Sequence, residues 1–280
     1  MLTELKAYSS WESAPTLPLN DTGSAETDLI QVRNIEGLDP VKADVNTSPL
    51  GSTDGSSYTG SNVASRNIVL TLGSNPDWNQ WSYESLRRLL YSYFMPKRPT
   101  RLVFYSDDIV PVKIDGIVES TEDNLFSSDP EMVVSVICPD PYFIALDPQV
   151  VNGQTIRPGE DPITIIYEGN IEAGIHVRTT HVLDPVPTSI GIQIGDPEAS
   201  YFDVVAGVNS AMYFEMNSIP MEKFVQNVNI GSAVITNLLP KVEEGSSWPT
   251  LKPGSNDFSI ITDVGEQDWQ LTYFERFGGL

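Results

Sequence analysis

The sequence predicts a mainly β protein in two halves, an α+β first half with one helix and an all-strand second half. Three observations point there. Twenty Gly and 21 Pro are scattered through 280 residues without a period, which suits many short strands joined by turns. Apolar residues alternate over short runs along most of the chain, and a single stretch shows helical spacing. Near the midpoint, Pro139 and Pro141 interrupt the chain, and neither can donate to a β-ladder.

Residues 28–35 (DLIQVRNI) read as the first strand. Residues 36–62 are rich in Gly, Ser, Asp and Thr, and a loop of about 25 residues inside a compact domain is normally functional or an interaction arm. Residues 65–72 form the next strand, with Ile68, Leu70 and Leu72 on one face. Asn75-Pro76 signals a helix start, and the helix runs to about Phe94. Leu86, Leu89, Leu90, Tyr93 and Phe94 make its apolar stripe, Trp78 and Trp81 extend the stripe, and Pro96 and Pro99 stop it. Strands at 101–105, 109–119 and 131–138 complete the first half. Val110, Val112 and Ile114 alternate with Lys113 and Asp115, Pro111 marks an edge, and Gly116 reads as a bulge or bend. Met132, Val134, Val136 and Cys138 share one parity of the last strand. The stretch Cys138-Pro139-Asp140-Pro141-Tyr142-Phe143 then closes the first domain, dividing the chain into 1–143 and 144–280. Asp140 reads as a turn-former, with Tyr142 and Phe143 anchoring the junction.

The second half has no helical spacing. Strand patterns recur at 163–167, 174–178, 190–194, 201–205, 211–216, 258–261 and 269–274, separated by RPGEDP, LDPVP, GDPEAS and LKPGSND. Regular short strands with such turns predict an antiparallel sandwich. Met212, Phe214 and Met216 face its core, as do Trp269, Leu271 and Tyr273.

Sixteen basic residues stand against 38 acidic ones, a net charge of −22, with −10 in residues 1–140 and −12 in the remainder. That balance opposes nucleic-acid binding, which needs Lys and Arg on phosphates, but suits a surface past which DNA slides without sticking. Arg87, Arg88, Lys97, Arg98 and Arg101 gather five of the sixteen positive charges within fifteen positions. Two accounts fit: a helix C-terminus complementing its dipole, or a contact with an acidic surface of a neighbouring subunit.

Chemistry is sparse. Cys138, the single cysteine, excludes an intramolecular disulfide and, on the apolar parity of its strand, reads as a buried hydrophobe. His176 and His181, five positions apart beside a strand, face opposite ways and with no second cysteine make no zinc site. Asp21-Thr22-Gly23-Ser24 matches the catalytic string of aspartic proteases, but that chemistry needs two carboxylates sharing a proton and the string occurs once. Asp107-Asp108 and Glu243-Glu244 read as solvated turns, with calcium as the alternative. No phosphate-binding glycine motif is present. The expectation is a protein that is not an enzyme, with no catalytic residue, cofactor or metal. Residues 1–11 have no apolar signal region, and no run of about 18 apolar residues occurs, so synthesis in a cytoplasm without membrane insertion is expected.

In order along the chain, RNIVLTLG, LRRLLYSYFMPK, RLVFYSDD, IDGIVES and VVSVICPDPYF resemble the N-terminal domain of the siphophage distal tail protein family. YEGNIEAGIHVR, SSWPTLKPGSNDF and LTYFERFGGL are similar to its C-terminal domain. The resemblance implies a tail-tube-like β-sandwich with one α-helix, followed by a galectin-like or carbohydrate-module-like antiparallel sandwich. It implies a homohexameric ring at the virion's tail tip, joining the tail tube protein to the tip or baseplate proteins, with DNA passing through an acidic lumen. Residues 36–62 then become an arm around the neighbouring protomer, the basic cluster meets an acidic face of that neighbour, and Cys138 to Phe143 becomes a hinge. The rival reading is a carbohydrate-binding adhesin module that takes a host glycan through exposed aromatics such as Trp248.

Overall fold

The structure, a computed structural model, describes residues 2–9, 16–19, 29–51, 53–75, 81–107, 109–124, 130–179, 187–195, 201–205, 212–263 and 267–280. The chain divides into two compact units, the first made of Met1–Leu146 with Phe277–Leu280 and the second of Asp147–Arg276.

Unit 1 contains β1 (Leu2–Tyr8), β2 (Thr16–Leu19), β3 (Ile30–Glu36), β4 (Ala43–Pro49), β5 (Ser56–Val63), β6 (Arg66–Ser74), α1 (Tyr83–Tyr93), β7 (Pro99–Ser106), β8 (Val112–Asp123), β9 (Glu131–Cys138) and β10 (Phe143–Ala145). One sheet runs in the order β2-β1-β7-β8-β9-β6-β3, with β10 added to β8. Its alternating apolar residues explain the packing: Ile68, Leu70 and Leu72 of β6 and Met132, Val134, Val136 and Cys138 of β9 are all buried in one core. Leu17 and Leu19 from one end of the strand order and Ile30 from the other reach that same core, so the sheet wraps around it.

Helix α1 packs on the core with Leu90, Tyr93 and Phe94, with Leu89 half-buried against it and Leu86 buried as well. Its start is later than Asn75-Pro76. The Asn75 N–H donates to the Leu29 carbonyl at 2.9 Å, which holds that residue at a strand end. Ser82 is the N-cap instead, its hydroxyl oxygen accepting the Ser85 N–H, with Glu84 placed favourably in the first turn. Trp81 precedes the helix, and Trp78 lies outside the described residues. Gly116 is not a bulge: it sits in register opposite Thr100, and the register shift falls between Val118 and Ser120. Glycine is needed there because β9 passes close by, and a Cβ would lie 2.5 Å from Val136 Cγ1 and 2.9 Å from Cys138 Sγ. Val110 precedes β8 and is exposed, the strand proper beginning after Pro111.

Two differences from the sequence reading change the architecture. Strands β1 and β2 precede the stretch that reads as the first strand, and their Leu5, Ala7, Leu17 and Leu19 are core residues. Residues 36–62 are not a structureless loop: β4 and β5 form an antiparallel hairpin that pairs with no other strand among the described residues.

Unit 2 contains β11 (Gln149–Gln154), β12 (Ile163–Tyr167), β13 (Ala173–Thr179), β14 (Ser189–Ile194), β15 (Tyr201–Val205), β16 (Met212–Asn217), β17 (Phe224–Asn229), β18 (Ile235–Asn237), β19 (Thr250–Leu251), β20 (Gly254–Thr262) and β21 (Asp268–Tyr273), and β22 (Arg276–Phe277) follows at its boundary. One sheet is ordered β11-β21-β13-β16-β17-β18, with β19 on β13, and a second is ordered β12-β20-β14-β15. Ile175, Val177, Phe214, Met216, Trp269 and Leu271 of the larger sheet share a core with Ile165, Tyr167, Ile190, Ile192, Phe258 and Ile260 of the smaller. Two antiparallel sheets packed over one apolar layer make the expected sandwich, and the described residues of this unit include no α-helix. Met212 is only partly buried against this core.

Candidate junction and contact surfaces

Arg66 opens β6 on the apolar parity of that strand and is 1% exposed. Its guanidinium donates from Nε to the Pro141 carbonyl at 2.6 Å, from Nη1 to the Gly37 and Asp39 carbonyls at 2.5 and 2.8 Å, and from Nη2 to the Gly278 carbonyl at 2.5 Å. Its carbon lies 4.5 Å from the centroid of the Phe143 ring. A planar fork of five donors is the one side chain able to reach acceptors in so many directions. One residue therefore ties together the proline-bounded stretch, the base of the β4–β5 hairpin and the C-terminal tail. Burial pulls the Arg66 pKa down from its usual value, and the cation is retained by these carbonyl dipoles. Around it the backbone is tight. Gly37 has φ +87°, and a Cβ there would overlap the Asn67 carbonyl oxygen. The Leu280 N–H donates to the Leu38 carbonyl at 3.1 Å.

The stretch from Cys138 to Phe143 is built as a turn. Asp140 Oδ1 accepts the Tyr142 N–H at 3.2 Å, an Asx turn between β9 and β10, both of which run antiparallel to β8. Pro139 and Asp140 are exposed, Pro141 and Tyr142 half-buried, and Phe143 fully buried edge-to-face against Phe104 at 5.7 Å. Cys138 is fully buried, and burial pushes its thiol up to about 12. The chain stays in unit 1 past Phe143: Ile144 and Ala145 pair with Lys113 and Val112, and the boundary between units follows Leu146.

The basic cluster splits. Arg101 makes a bidentate pair with Asp115, at 2.6 and 2.8 Å, which raises its pKa. Arg87 Nε lies 3.8 Å from Asp123, whose carboxylate also accepts the Tyr83 hydroxyl at 2.6 Å. Arg98 donates to the Ser92 carbonyl at the end of α1, which is the dipole-complementing arrangement. Arg88 and Lys97 stand exposed, Lys97 with φ 70°.

Apolar surface is concentrated in two places of unit 1. On the hairpin, Val45, Leu50 and Tyr58 are 58%, 48% and 65% exposed. At the sheet, Leu2, Leu38, Phe104, Ile109, Val110 and Leu280 line a cavity of about 280 Å³.

The remaining sequence candidates do not converge. His176 contacts Glu215 at 2.9 Å, while His181, Asp21 to Ser24 and Asp108 lie outside the described residues. Among the described residues no group of three or more His, Cys, Asp or Glu could hold a metal ion. Trp248 is not a free aromatic. It packs half-buried on the core with its ring 4.9 Å from that of Phe202, and Lys223 lies 5.3 Å over it. No helix among the described residues is long and apolar enough to cross a membrane.

Residues 24–144 match the phage tail protein RIFT-related domain family. The whole chain is similar in structure to the Dit protein (gp 19.1) of phage SPP1, described as a paradigm of hub adsorption apparatus in phages that infect Gram-positive bacteria. That likeness has a TM-score of 0.65 at 15% identity and covers 98% of this chain and 99% of that one. A second likeness, to a chain of the phage P2 baseplate in its activated conformation with Ca, has a TM-score of 0.53 at 10% identity over the full length of both. No curated protein matches the sequence. The resemblance carried by the strings from RNIVLTLG to CPDPYF is thereby borne out, as is the mainly β fold with one helix.

Proposed function

We propose that this chain, whose residues 24–144 form a phage tail protein RIFT-related domain within a fold shared end to end with a distal tail protein, is a structural hub of a long-tailed phage's tail tip. The observation that carries the reading is the conjunction of those two matches. A tail-domain sequence sits at the expected place inside a fold that pairs over nearly the whole of both chains.

In this reading six copies form a ring at the distal end of the tail. Unit 1 builds the ring between the tail tube protein and the tip or baseplate proteins, and unit 2 is the docking platform. The β4–β5 hairpin supports the assembly role. It buries almost nothing on its own chain, exposes Val45, Leu50 and Tyr58, and has its base fixed by the Arg66 carbonyl bonds. An isolated two-stranded hairpin is marginal in water, so a partner surface is where its apolar side chains gain burial. The cavity bounded by Leu2, Phe104 and Leu280 offers such a surface on the next copy, and exposed Arg88 and Lys97 offer positive charge to an acidic neighbour. Head-to-tail contact of two different surfaces closes a cyclic ring. At −22 per copy, the lumen repels phosphate and lets DNA pass without adhesion. The role is architectural and needs no catalysis.

Gold-labelled antibody against unit 2, applied to particles of the phage that encodes this chain, tests the placement. Label at the distal end of the tail is expected. Label on the head, along the tail shaft or nowhere on the particle would contradict it.

A further inference from the structure

Residues 277–280 (FGGL) lie on unit 1, and each of the four is held in a different way. Phe277 belongs to β22, which pairs with β10, and it packs half-buried against the unit 1 core. The Gly278 carbonyl accepts Arg66 Nη2 at 2.5 Å. Gly279 passes so close to Pro40 that a Cβ would lie 2.7 Å from its Cδ and 2.9 Å from its backbone nitrogen. The Leu280 N–H donates to the Leu38 carbonyl, and the Leu280 side chain lines the apolar cavity with Leu2, Phe104 and Val112. Apolar side chains in seats, joined by backbone bonds between them, are how a groove holds a peptide segment.

The contacts of Gly278, Gly279 and Leu280 converge on the base of the β4–β5 hairpin. Residues 37–40 lead from β3 toward β4, and Arg66 follows β5 at the other end of the hairpin. The guanidinium that takes the Gly278 carbonyl also donates to the Gly37 and Asp39 carbonyls. The Leu38 carbonyl and Pro40 supply the next two contacts. Beyond this base the hairpin pairs with no other strand among the described residues, and almost all of its residues are exposed. Its direction is therefore set where it joins the sheet, and a ribbon on two chain crossings swings unless those crossings are pinned.

We infer that residues 277–280 are a strap that fixes the aim of the β4–β5 hairpin. Seated, the strap holds residues 37–40 from the side opposite the chain's own turn; unseated, it leaves the hairpin free to swing about them. Strap and hairpin share Arg66 and residues 37–40, so whatever holds the hairpin also tightens the strap, by linkage. Release is cheap compared with unfolding: Phe277 and Leu280 are only half-buried, and the two glycines between them carry no side chain. The inference concerns unit 1 and does not rest on ring assembly. Within the hub reading it adds one consequence, that a hairpin already aimed loses less freedom on meeting the next copy.

The test uses the full chain with nitroxide labels at Thr47→Cys on β4 and Ser92→Cys on α1, both exposed positions, while Cys138 is buried and stays unlabelled. Labelled chain is diluted into unlabelled chain, and pulsed electron resonance reads the distance within one protomer. A single narrow distribution is expected for the parent. Gly279→Val, whose side chain has no room beside Pro40, and Leu280→Ser are each expected to broaden it about two-fold or more. Their melting temperatures are expected to stay within a few degrees of the parent. Unchanged width in both variants overturns the inference. So does loss of fold in both, because the segment would then be part of the core; if only Gly279→Val unfolds, the width for Leu280→Ser decides. Light scattering on the same samples keeps the two readings apart. A narrow parent distance in a chain that stays monomeric, broadened by the variants, upholds the strap and counts against the hub.

Discussion

Arg66 places a buried cation against four carbonyl oxygens, so each of those bonds is charge-assisted. Arg66→Ala is expected to cost the full chain about 3 kcal/mol or more in urea denaturation, because it strands buried acceptors as well as removing donors. Arg66→Lys, with one compact ammonium in place of a fork, is expected to recover only a minor part. Changes within about 0.5 kcal/mol for both variants would contradict the staple. Glu275 makes the opposite case. It is 4% exposed, and burial, with a smaller contribution from Glu168, raises its pKa. A carboxyl with a raised folded-state pKa adds stability below its unfolded value and loses that contribution as pH rises through the folded one. Glu275→Gln is therefore expected to raise the melting temperature at pH 8 and to flatten its decline between pH 4 and pH 8; an unchanged decline would contradict this. Both residues were open to a closer reading of the sequence. Arg66 shares parity with Ile68 and Leu70, and a cation on the apolar side of a strand marks a buried partner set. Its carbonyl partners, at positions 37, 39, 141 and 278, carry no sequence signal, because backbone acceptors look alike in every residue.

Among the elements, the strongest periodicities were the most legible. Strands β6, β9, β12 and β21 and the helix stripe follow directly from alternation or 3.6-residue spacing, because one face of each is buried. The β4–β5 hairpin was not legible, for the converse reason: neither of its faces is buried by its own chain, so no alternation was selected. The start of α1 was misplaced because Asn75-Pro76 and Ser82 both look like helix starts, and only the strand-end bond of Asn75 decides between them. The basic cluster was legible as a group but not in its parts, since Asp115 and Asp123 are remote in sequence from the arginines they approach. Replacing residues 44–62 by a two-residue Gly-Ser link is expected to leave a folded chain, with its melting temperature lowered by a few degrees at most, because the joined ends Ala43 and Val63 are already paired. The same deletion is expected to abolish ring formation in light scattering. A deletion variant that still assembles would show that the hairpin is not the arm.

For the whole molecule, two separate apolar cores account for two compact units, with the boundary after Leu146. What composition could not reveal is that the last four residues belong with unit 1, since FGGL has no periodicity and its attachment rests on Arg66, Leu38 and Phe277 packing. The acidity belongs to this scale as well. Self-repulsion at −22 per copy is relieved by salt, so ring assembly is expected to strengthen as ionic strength rises from about 20 to 150 mM. Assembly that weakens over that range would mean ion pairs such as those of Arg88 and Lys97 dominate instead. The measurement that tests the hub account most directly is the mass and symmetry of the purified full chain, by light scattering and negative-stain class averages on one sample. The account expects particles of six times 30.8 kDa with six-fold rings and a central opening. A monomer at every concentration, with no binding to the tail tube protein, would contradict it.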